Sequence, residues 1–224
     1  MGKSVVLVAG GAGVRMGSDL PKQFLSLCGK PVFIHSINAF LKAFEEINIV
    51  LVLPSKYIDY AQKLILDHKI SAKSIQFVSG GNTRFESVKN GLEVVPDDHV
   101  VFVHDAVRCL ISVDLIRSCD ETCLKYGSAI PVLPLRDSIR EILSDGTSRS
   151  LDRSLFRIIQ TPQTFIAKYI KAAYGKPYQE SFTDEATVAE SSGLKVYLIE
   201  GEQSNIKLTY SEDIDYANWK LSAS

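Results

Sequence analysis

Membrane-length apolar runs, paired cysteines and a surplus of either charge are all missing from this chain, and each absence removes a class of protein. No apolar segment approaches the roughly 20 residues that a helix needs to cross a bilayer. Lys and Arg number 25 against 26 Asp and Glu, a formal net charge of −1. No global field therefore draws the protein to nucleic acid or to an anionic membrane, and any anion binding must be local. The four cysteines, Cys28, Cys109, Cys119 and Cys123, include no CxxC pair and lack the dense spacing of a secreted disulfide scaffold. They read as buried thiols. Cys119 and Cys123 stand one helical turn apart, but no histidine or second pair lies nearby to complete a zinc site. Met1-Gly2-Lys3-Ser4 runs straight into a strand without the features of a secretory leader, and Val6 stands where a myristoylation site needs Ser or Thr. Repeats, linkers and low-complexity stretches are also missing. The expectation is a soluble cytoplasmic protein.

What is present is an ordinary globular composition, 46% hydrophobic and 23% charged over 224 residues, enough for one α/β domain spanning 1–224. Its focal stretch is an apolar strand, Val5-Val6-Leu7-Val8-Ala9, entering the loop Gly10-Gly11-Ala12-Gly13-Val14-Arg15-Met16-Gly17, with Pro21-Lys22-Gln23 shortly after. Glycines at such a turn let backbone N–H groups approach a phosphate closely, and Arg15 and Lys22 add full positive charges.

The rest alternates strand and helix. Apolar spacing predicts a helix over 31–40 with Pro31 in its first turn, a buried strand over 47–53, and a helix carrying Ile58, Ala61, Leu64 and Ile65 with Ser55 as its cap. A strand over 74–78, the turn Gly80-Gly81-Asn82, a helix over 83–95 and a strand over 99–104 ending on Asp105 follow. A helix over 113–124 and a strand over 129–133 complete the pattern. This implies an α/β fold: an open, mostly parallel Rossmann-like sheet with helices on both faces. Ligands bind such sheets outside the carboxyl ends of the strands, where the loops at 10–13, 80–81 and Asp105 converge. Residues 137–143 instead alternate polar and apolar and reach Ser144-Asp145-Gly146, a hairpin signal. An antiparallel β-arm at about 136–156 is expected to project from the sheet. Helices over 166–174 and 184–191, the second capped by Thr183, strands over 195–199 and 205–208, and a final helix over 211–219 capped by Ser211 close the chain.

The glycine loop is neither a dinucleotide fingerprint, which would need glycine at Met16, nor a Walker A loop, which would end in GK[ST]. Ala-Gly-Gly-x-Gly-x-Arg-Met-Gly followed by Pro21-Lys22 resembles the signature of sugar-nucleotide pyrophosphorylases and related nucleotidyltransferases. Pro21-Lys22-Gln23-Phe24-Leu25, Gly29-Lys30-Pro31, Gly80-Gly81 with Arg84 and Ser87, and Val103-His104-Asp105-Ala106-Val107-Arg108 then stand in order. So do Gln160-Thr161-Pro162-Gln163, Thr183-Asp184-Glu185-Ala186 and Asn205-Ile206-Lys207. Over nearly the whole chain this set resembles the 2-C-methyl-D-erythritol 4-phosphate cytidylyltransferase family. Most of the same motifs also resemble the ribitol 5-phosphate cytidylyltransferases. Departures from the first pattern are Cys109 in place of a usual proline, Ser138 in place of threonine, and Gly10 where many members have alanine.

The resemblance implies transfer of a cytidylyl group from CTP to methylerythritol phosphate, with Mg2+ as cofactor, in a homodimer formed through the β-arm. It assigns Arg15, Lys22 and Lys207 to the CTP phosphates as charge stabilisers, and Ala9, Gly10, Gly11, Gly13, Gly80, Gly81, Arg84 and Ser87 to CTP binding. Arg108, Ser138, Arg153 and Thr161 fall to the polyol phosphate, with Arg153 reaching the neighbouring subunit's site. Asp105, at a strand end, suits a metal ligand or a helix cap. A phosphate nucleophile needs no catalytic base and no covalent intermediate, so Cys109 has no nucleophilic role to fill. Two other classes remain as rivals: an NAD-type oxidoreductase, weakened by the incomplete fingerprint, and a non-catalytic nucleotide-binding protein, which would not require the full set of cations.

Overall fold

The computed structural model describes residues 1–11, 20–71 and 75–223. Gly13 and Arg15 lie outside the described residues. The first strand, β1 (Lys3–Val8), enters the glycine loop; a short ribbon β2 (Ser26–Leu27) and β3 (Lys30–Pro31) leads to helix α1 (Val32–Ala43). Then come β4 (Asn48–Leu53), α2 (Ile58–Asp67), β5 (Ile75–Ser79), α3 (Arg84–Glu93), β6 (Val100–Asp105), α4 (Val113–Tyr126) and β7 (Ser128–Pro134). The arm is β8 (Ile139–Ile142) and β9 (Ser148–Leu151). After it the chain forms β10 (Arg157–Ile159), β11 (Gln163–Ile166), α5 (Ala167–Tyr174), α6 (Glu185–Ser191), β12 (Leu198–Glu200) and α7 (Ser211–Ser222).

The main sheet has the order β10-β7-β11-β6-β1-β4-β5, with β12 also pairing β7. β6, β1, β4 and β5 run parallel, in the register Val8 opposite Val52 and Asp105. β1 is apolar at its inner positions Val5, Val6 and Leu7 because both of its faces are covered, and the buried Ser4 meets His99 Nδ1 with its hydroxyl. Val5 and Leu7 face a core built with α1, α2 and α4, whereas Val6 faces one built with α3, α5 and α6. On that second face α3 lies so close that a Cβ on Gly91 would stand 2.6 Å from Val6 Cγ1 and 2.8 Å from Val52 Cγ2. A third cluster, Leu27, Val32, Val107, Cys109, Leu208 and Ala217, seats α7 beside the β2–β3 ribbon.

The sheet is mostly parallel, with two strands that apolar periodicity does not predict, and four expectations need correction. β11 is antiparallel to both β6 and β7, and β10 is antiparallel to β7, so two reversed strands sit in a sheet that is otherwise parallel. No strand forms over 205–208. There Leu208 N makes a single backbone bond, to Val107 O, while Asn205 Nδ2 donates to Thr161 O and Leu208 O accepts from Lys22, so no ladder forms. Ser55 opens a 3-10 turn ahead of α2 and neither element has a side-chain cap. Asp184, not Thr183, caps α6: its Oδ1 accepts from Thr187 N at 2.9 Å while Thr187 Oγ1 accepts from Asp184 N. In α7 the cap position falls on Tyr210, whose N–H donates to Asp213 Oδ2 at 2.8 Å.

The arm forms as expected, with Ile139 opposite Leu151 and Gly146 at φ +83° in its turn. It leaves Ile142 72% exposed, and Leu155 and Ile158 just beyond it are also exposed. Among the described residues no helix is long and apolar enough to cross a membrane.

Candidate active site

Three loops leave the carboxyl ends of the parallel strands β1, β5 and β6, and each is tied by a backbone hydrogen bond to the end of an adjacent strand. Ala9 N donates to Val52 O at 2.9 Å, Gly80 N to Leu53 O at 2.8 Å and Ala106 N to Val8 O at 3.0 Å. Between them opens a cavity of about 290 Å³. The first loop contributes Ala9, Gly10 and Gly11 to its lining, the second Gly81, Asn82 and Thr83 with Arg84 and Ser87 from α3. The remaining wall is Val8, Lys22, Gln23, Asp105, Val107 and Lys207.

The second loop is tightly built. Ser87 Oγ accepts from Gly81 N at 3.1 Å and donates to Thr83 O at 2.9 Å, so this residue shapes the loop. A Cβ on Gly81 would lie 2.3 Å from Glu86 Cβ, so only glycine fits there. Thr83 caps α3 by accepting from Glu86 N at 3.0 Å. On the opposite wall Gln23 Nε2 donates to Ala9 O at 2.7 Å, and the buried Lys22 donates from Nζ to Leu208 O at 2.8 Å.

Charge is concentrated around Asp105. Its Oδ2 lies 2.8 Å from Lys207 Nζ and 4.0 Å from Arg108 Nε, and its Oδ1 accepts from Arg84 Nε at 3.2 Å. Burial alone would raise this carboxyl, but Arg84, Lys207 and Arg108 outweigh it and hold the group well below the ordinary carboxylate range. Asp105 is therefore ionised at neutral pH, and its role is ionic, not helix capping. Arg84 reaches further, donating from Nη1 and Nη2 to the two oxygens of Glu185 at 2.5 and 3.1 Å. Glu185 is fully buried and also accepts from Tyr174 OH at 3.1 Å.

Behind Asp105 stand Arg108 and Thr161. The Thr161 hydroxyl accepts from Asp105 N at 3.1 Å and meets His104 Nδ1 at 3.0 Å. Arg108 donates from Nη1 to Asn205 O at 2.8 Å. Burial lowers the pKa of His104 to about 4, so its ring is neutral at physiological pH. Burial likewise raises the thiol of Cys109 to about 12, which leaves it inert.

The sites expected from sequence thus divide. Ala9, Gly10, Gly11, Lys22, Gly81, Arg84, Ser87, Asp105 and Lys207 come together on one cavity, and Gly80 adjoins it. Arg108 and Thr161 lie against Asp105 without lining that cavity. Ser138 and Arg153 are exposed on the arm, where Arg153 Nη1 donates to Arg136 O. Gln23, Asn82, Thr83, Glu185 and Asn205 are further participants. Gln23, Asn82, Glu185 and Asn205 stand inside stretches that the sequence singles out, but their partners are not visible there: Glu185 meets Arg84 across 101 residues of chain.

Among the described residues no group of three His, Cys, Asp or Glu could hold a metal by itself. Mg2+ needs only one or two carboxylates where substrate phosphates and water supply the other oxygens. An ionised Asp105 on the wall of the cavity meets that requirement.

Comparison with known proteins agrees with this geometry. The model of the 2-C-methyl-D-erythritol 4-phosphate cytidylyltransferase family matches residues 4–223. The protein of that name from Bacteroides thetaiotaomicron is 42% identical over 214 residues, covering 96% of this chain and 97% of that one. Its namesake from Porphyromonas gingivalis is 44% identical over 219 residues, 97% of each chain. Among solved structures, 4-diphosphocytidyl-2C-methyl-D-erythritol synthase from Anaerococcus prevotii superposes with a TM-score of 0.84 at 28% identity, over 99% of this chain and 96% of that one.

Proposed function

Since the chain belongs to the 2-C-methyl-D-erythritol 4-phosphate cytidylyltransferase family, we propose that its cleft carries out that reaction and that the two substrates divide the site between them. The enzyme transfers a cytidylyl group from CTP to 2-C-methyl-D-erythritol 4-phosphate in isoprenoid biosynthesis. A phosphate oxygen of the polyol attacks the α-phosphorus of CTP, the bond to the bridging oxygen breaks, and pyrophosphate leaves with the electron pair. The nucleophile is already anionic at neutral pH, so the protein's task is alignment and charge neutralisation.

The observation that carries this assignment is the convergence of Lys22, Lys207, Arg84 and Asp105 on one cavity at the strand ends. Lys22 and Lys207, with Arg15 from the glycine loop, hold the triphosphate and stabilise the charge that develops at the α-phosphorus. Gly10 and Gly11 present backbone N–H groups to the phosphates, Ala9 and Gly13 belong to the same CTP-binding set, and Gly80, Gly81, Arg84 and Ser87 form the nucleoside wall. Asp105 would hold Mg2+, which would supply further neutralisation of phosphate charge. Arg108, Ser138 and Thr161 serve the polyol phosphate, together with Arg153 from the arm of a second subunit. The unit is one catalytic domain with its arm at about 136–156, acting as a homodimer in the cytoplasm.

The direct test mixes the protein with CTP, Mg2+ and either methylerythritol 4-phosphate or ribitol 5-phosphate and follows pyrophosphate. Release with the first alcohol is expected. Release with ribitol phosphate alone, or with neither, overturns the assignment.

A further inference from the structure

His104 does not touch the cavity, yet its two ring nitrogens close a hydrogen-bond ring around the residues that frame it. Nδ1 meets Thr161 Oγ1 at 3.0 Å and Nε2 meets Arg108 O at 3.2 Å. Arg108 Nη1 donates to Asn205 O at 2.8 Å, and Asn205 Nδ2 donates to Thr161 O at 2.8 Å, which returns the ring to its start. The circuit joins the end of β6, the turn before β11 and the segment leading to Lys207. Its direction follows from donor and acceptor chemistry. Arg108 O can only accept, so the proton of the neutral imidazole sits on Nε2 and Nδ1 is left as an acceptor. Thr161 Oγ1, which accepts from Asp105 N, then turns its own proton toward Nδ1.

What the ring positions is Arg108. Its backbone is held at both ends, with N donating to Asp105 O at 2.9 Å and O accepting from His104. Its guanidinium is held through Nη1 while the buried Nε has no hydrogen-bond partner and stands 4.0 Å from Asp105 Oδ2. A buried donor left without a partner is costly and does not stay in place unaided. Edge-on packing of the fully buried Phe40 against the equally buried imidazole, centroids 5.4 Å apart, fixes the ring plane.

We infer that His104 is a positioning residue for the polyol phosphate, locking the Arg108 guanidinium beside Asp105 through the Thr161 and Asn205 circuit. The inference rests on the division of the site proposed above, in which Arg108 serves the polyol phosphate and Lys22 and Lys207 serve CTP. Loss of the circuit therefore weakens one substrate and spares the other.

Two measurements test it. In the intact wild-type protein, nitrogen-15 spectra of the imidazoles should show His104 as the Nε2–H tautomer; an Nδ1–H tautomer overturns the circuit regardless of activity. In steady-state assays, His104→Leu should raise KM for methylerythritol phosphate about tenfold or more, with the Kd for CTP changed less than about twofold. His104→Gln, whose amide can still donate toward Arg108 O, should recover most of that loss. Asn205→Leu breaks the same circuit at the link to Thr161 O, at a residue assigned to neither substrate, and should reproduce the split, which decides the matter if His104→Leu does not fold. An unchanged KM for the polyol, or equal losses for both substrates, refutes the positioning role. A wild-type protein that releases no pyrophosphate would instead overturn the activity, and the tautomer would still judge the ring.

Discussion

Glu185 holds Arg84 from the side away from the cavity, its two oxygens accepting from Nη1 and Nη2, while Arg84 Nε reaches forward to Asp105. One arginine thus couples a fully buried carboxylate on α6 to the anionic centre of the site. A carboxylate in that setting is tolerable only because it is paired. Arg84→Met should cost about 3 kcal/mol by leaving Glu185 charged and alone. The double variant Arg84→Met with Glu185→Leu should regain most of that stability without regaining CTP affinity. Urea midpoints and calorimetric titration with CTP separate the two effects, and additive losses in the double variant would refute the coupling.

Lys22 and Lys207 approach the cavity from opposite ends of the chain, one buried beside Leu208 O and the other bound to Asp105. Cations that act on developing phosphate charge change the rate more than substrate affinity. Lys22→Met keeps the apolar stem and should lower kcat by about 10²–10³-fold with unaltered circular dichroism. A rate within about threefold of wild type would remove Lys22 from the charge-stabilising set.

Much of this site was legible in the sequence because its parts sit at strand ends that the sequence announces. The β-branched runs of β1 and β4 and the apolar run ending on Asp105 mark three parallel strands, and parallel strands bring their carboxyl ends to one edge. The reversed strands were not legible. β11, Gln163-Thr164-Phe165-Ile166, buries two polar residues, so its pattern lacks the apolar run that marked its neighbours. Gln163 is spent on α6, Nε2 donating to Asp184 Oδ2 and Oε1 accepting from Ala186 N, a contact that no local pattern encodes. Residues 205–208 alternate like a strand but make one long-range backbone bond, to Val107 O, and are otherwise held through the side chains of Lys22, Asn205 and Arg108. Where a segment's hydrogen bonds go to distant side chains, periodicity misreads it.

Burial sorts the cysteines. Cys28 is exposed whereas Cys109, Cys119 and Cys123 are buried, and burial raises each of the three thiols to about 12. A thiol-specific reagent at neutral pH should modify Cys28 alone until the protein unfolds. A raised folded pKa stabilises below the unfolded value and loses that advantage as pH rises through the gap. Stability should therefore fall above about pH 8.5, where unfolded thiols ionise and folded ones do not. Rapid labelling of a second cysteine in native protein would contradict this ordering.

The arm raises the last question, because Arg153 sits on it, exposed and away from the cavity of its own chain. Ile142, Leu155 and Ile158 are exposed around it, the kind of surface that a second copy of the chain would cover. If each arm serves the opposite subunit, two inactive proteins should repair one another. Mix Lys22→Ala with Arg153→Ala and let subunits exchange. In a mixed dimer, one site combines both defects, while the other has an intact Lys22 and receives an intact Arg153 from its neighbour. Random pairing makes half the dimers mixed, so about a quarter of wild-type activity should return. If Arg153 served its own chain, every site in the mixture would carry one defect and no activity would return.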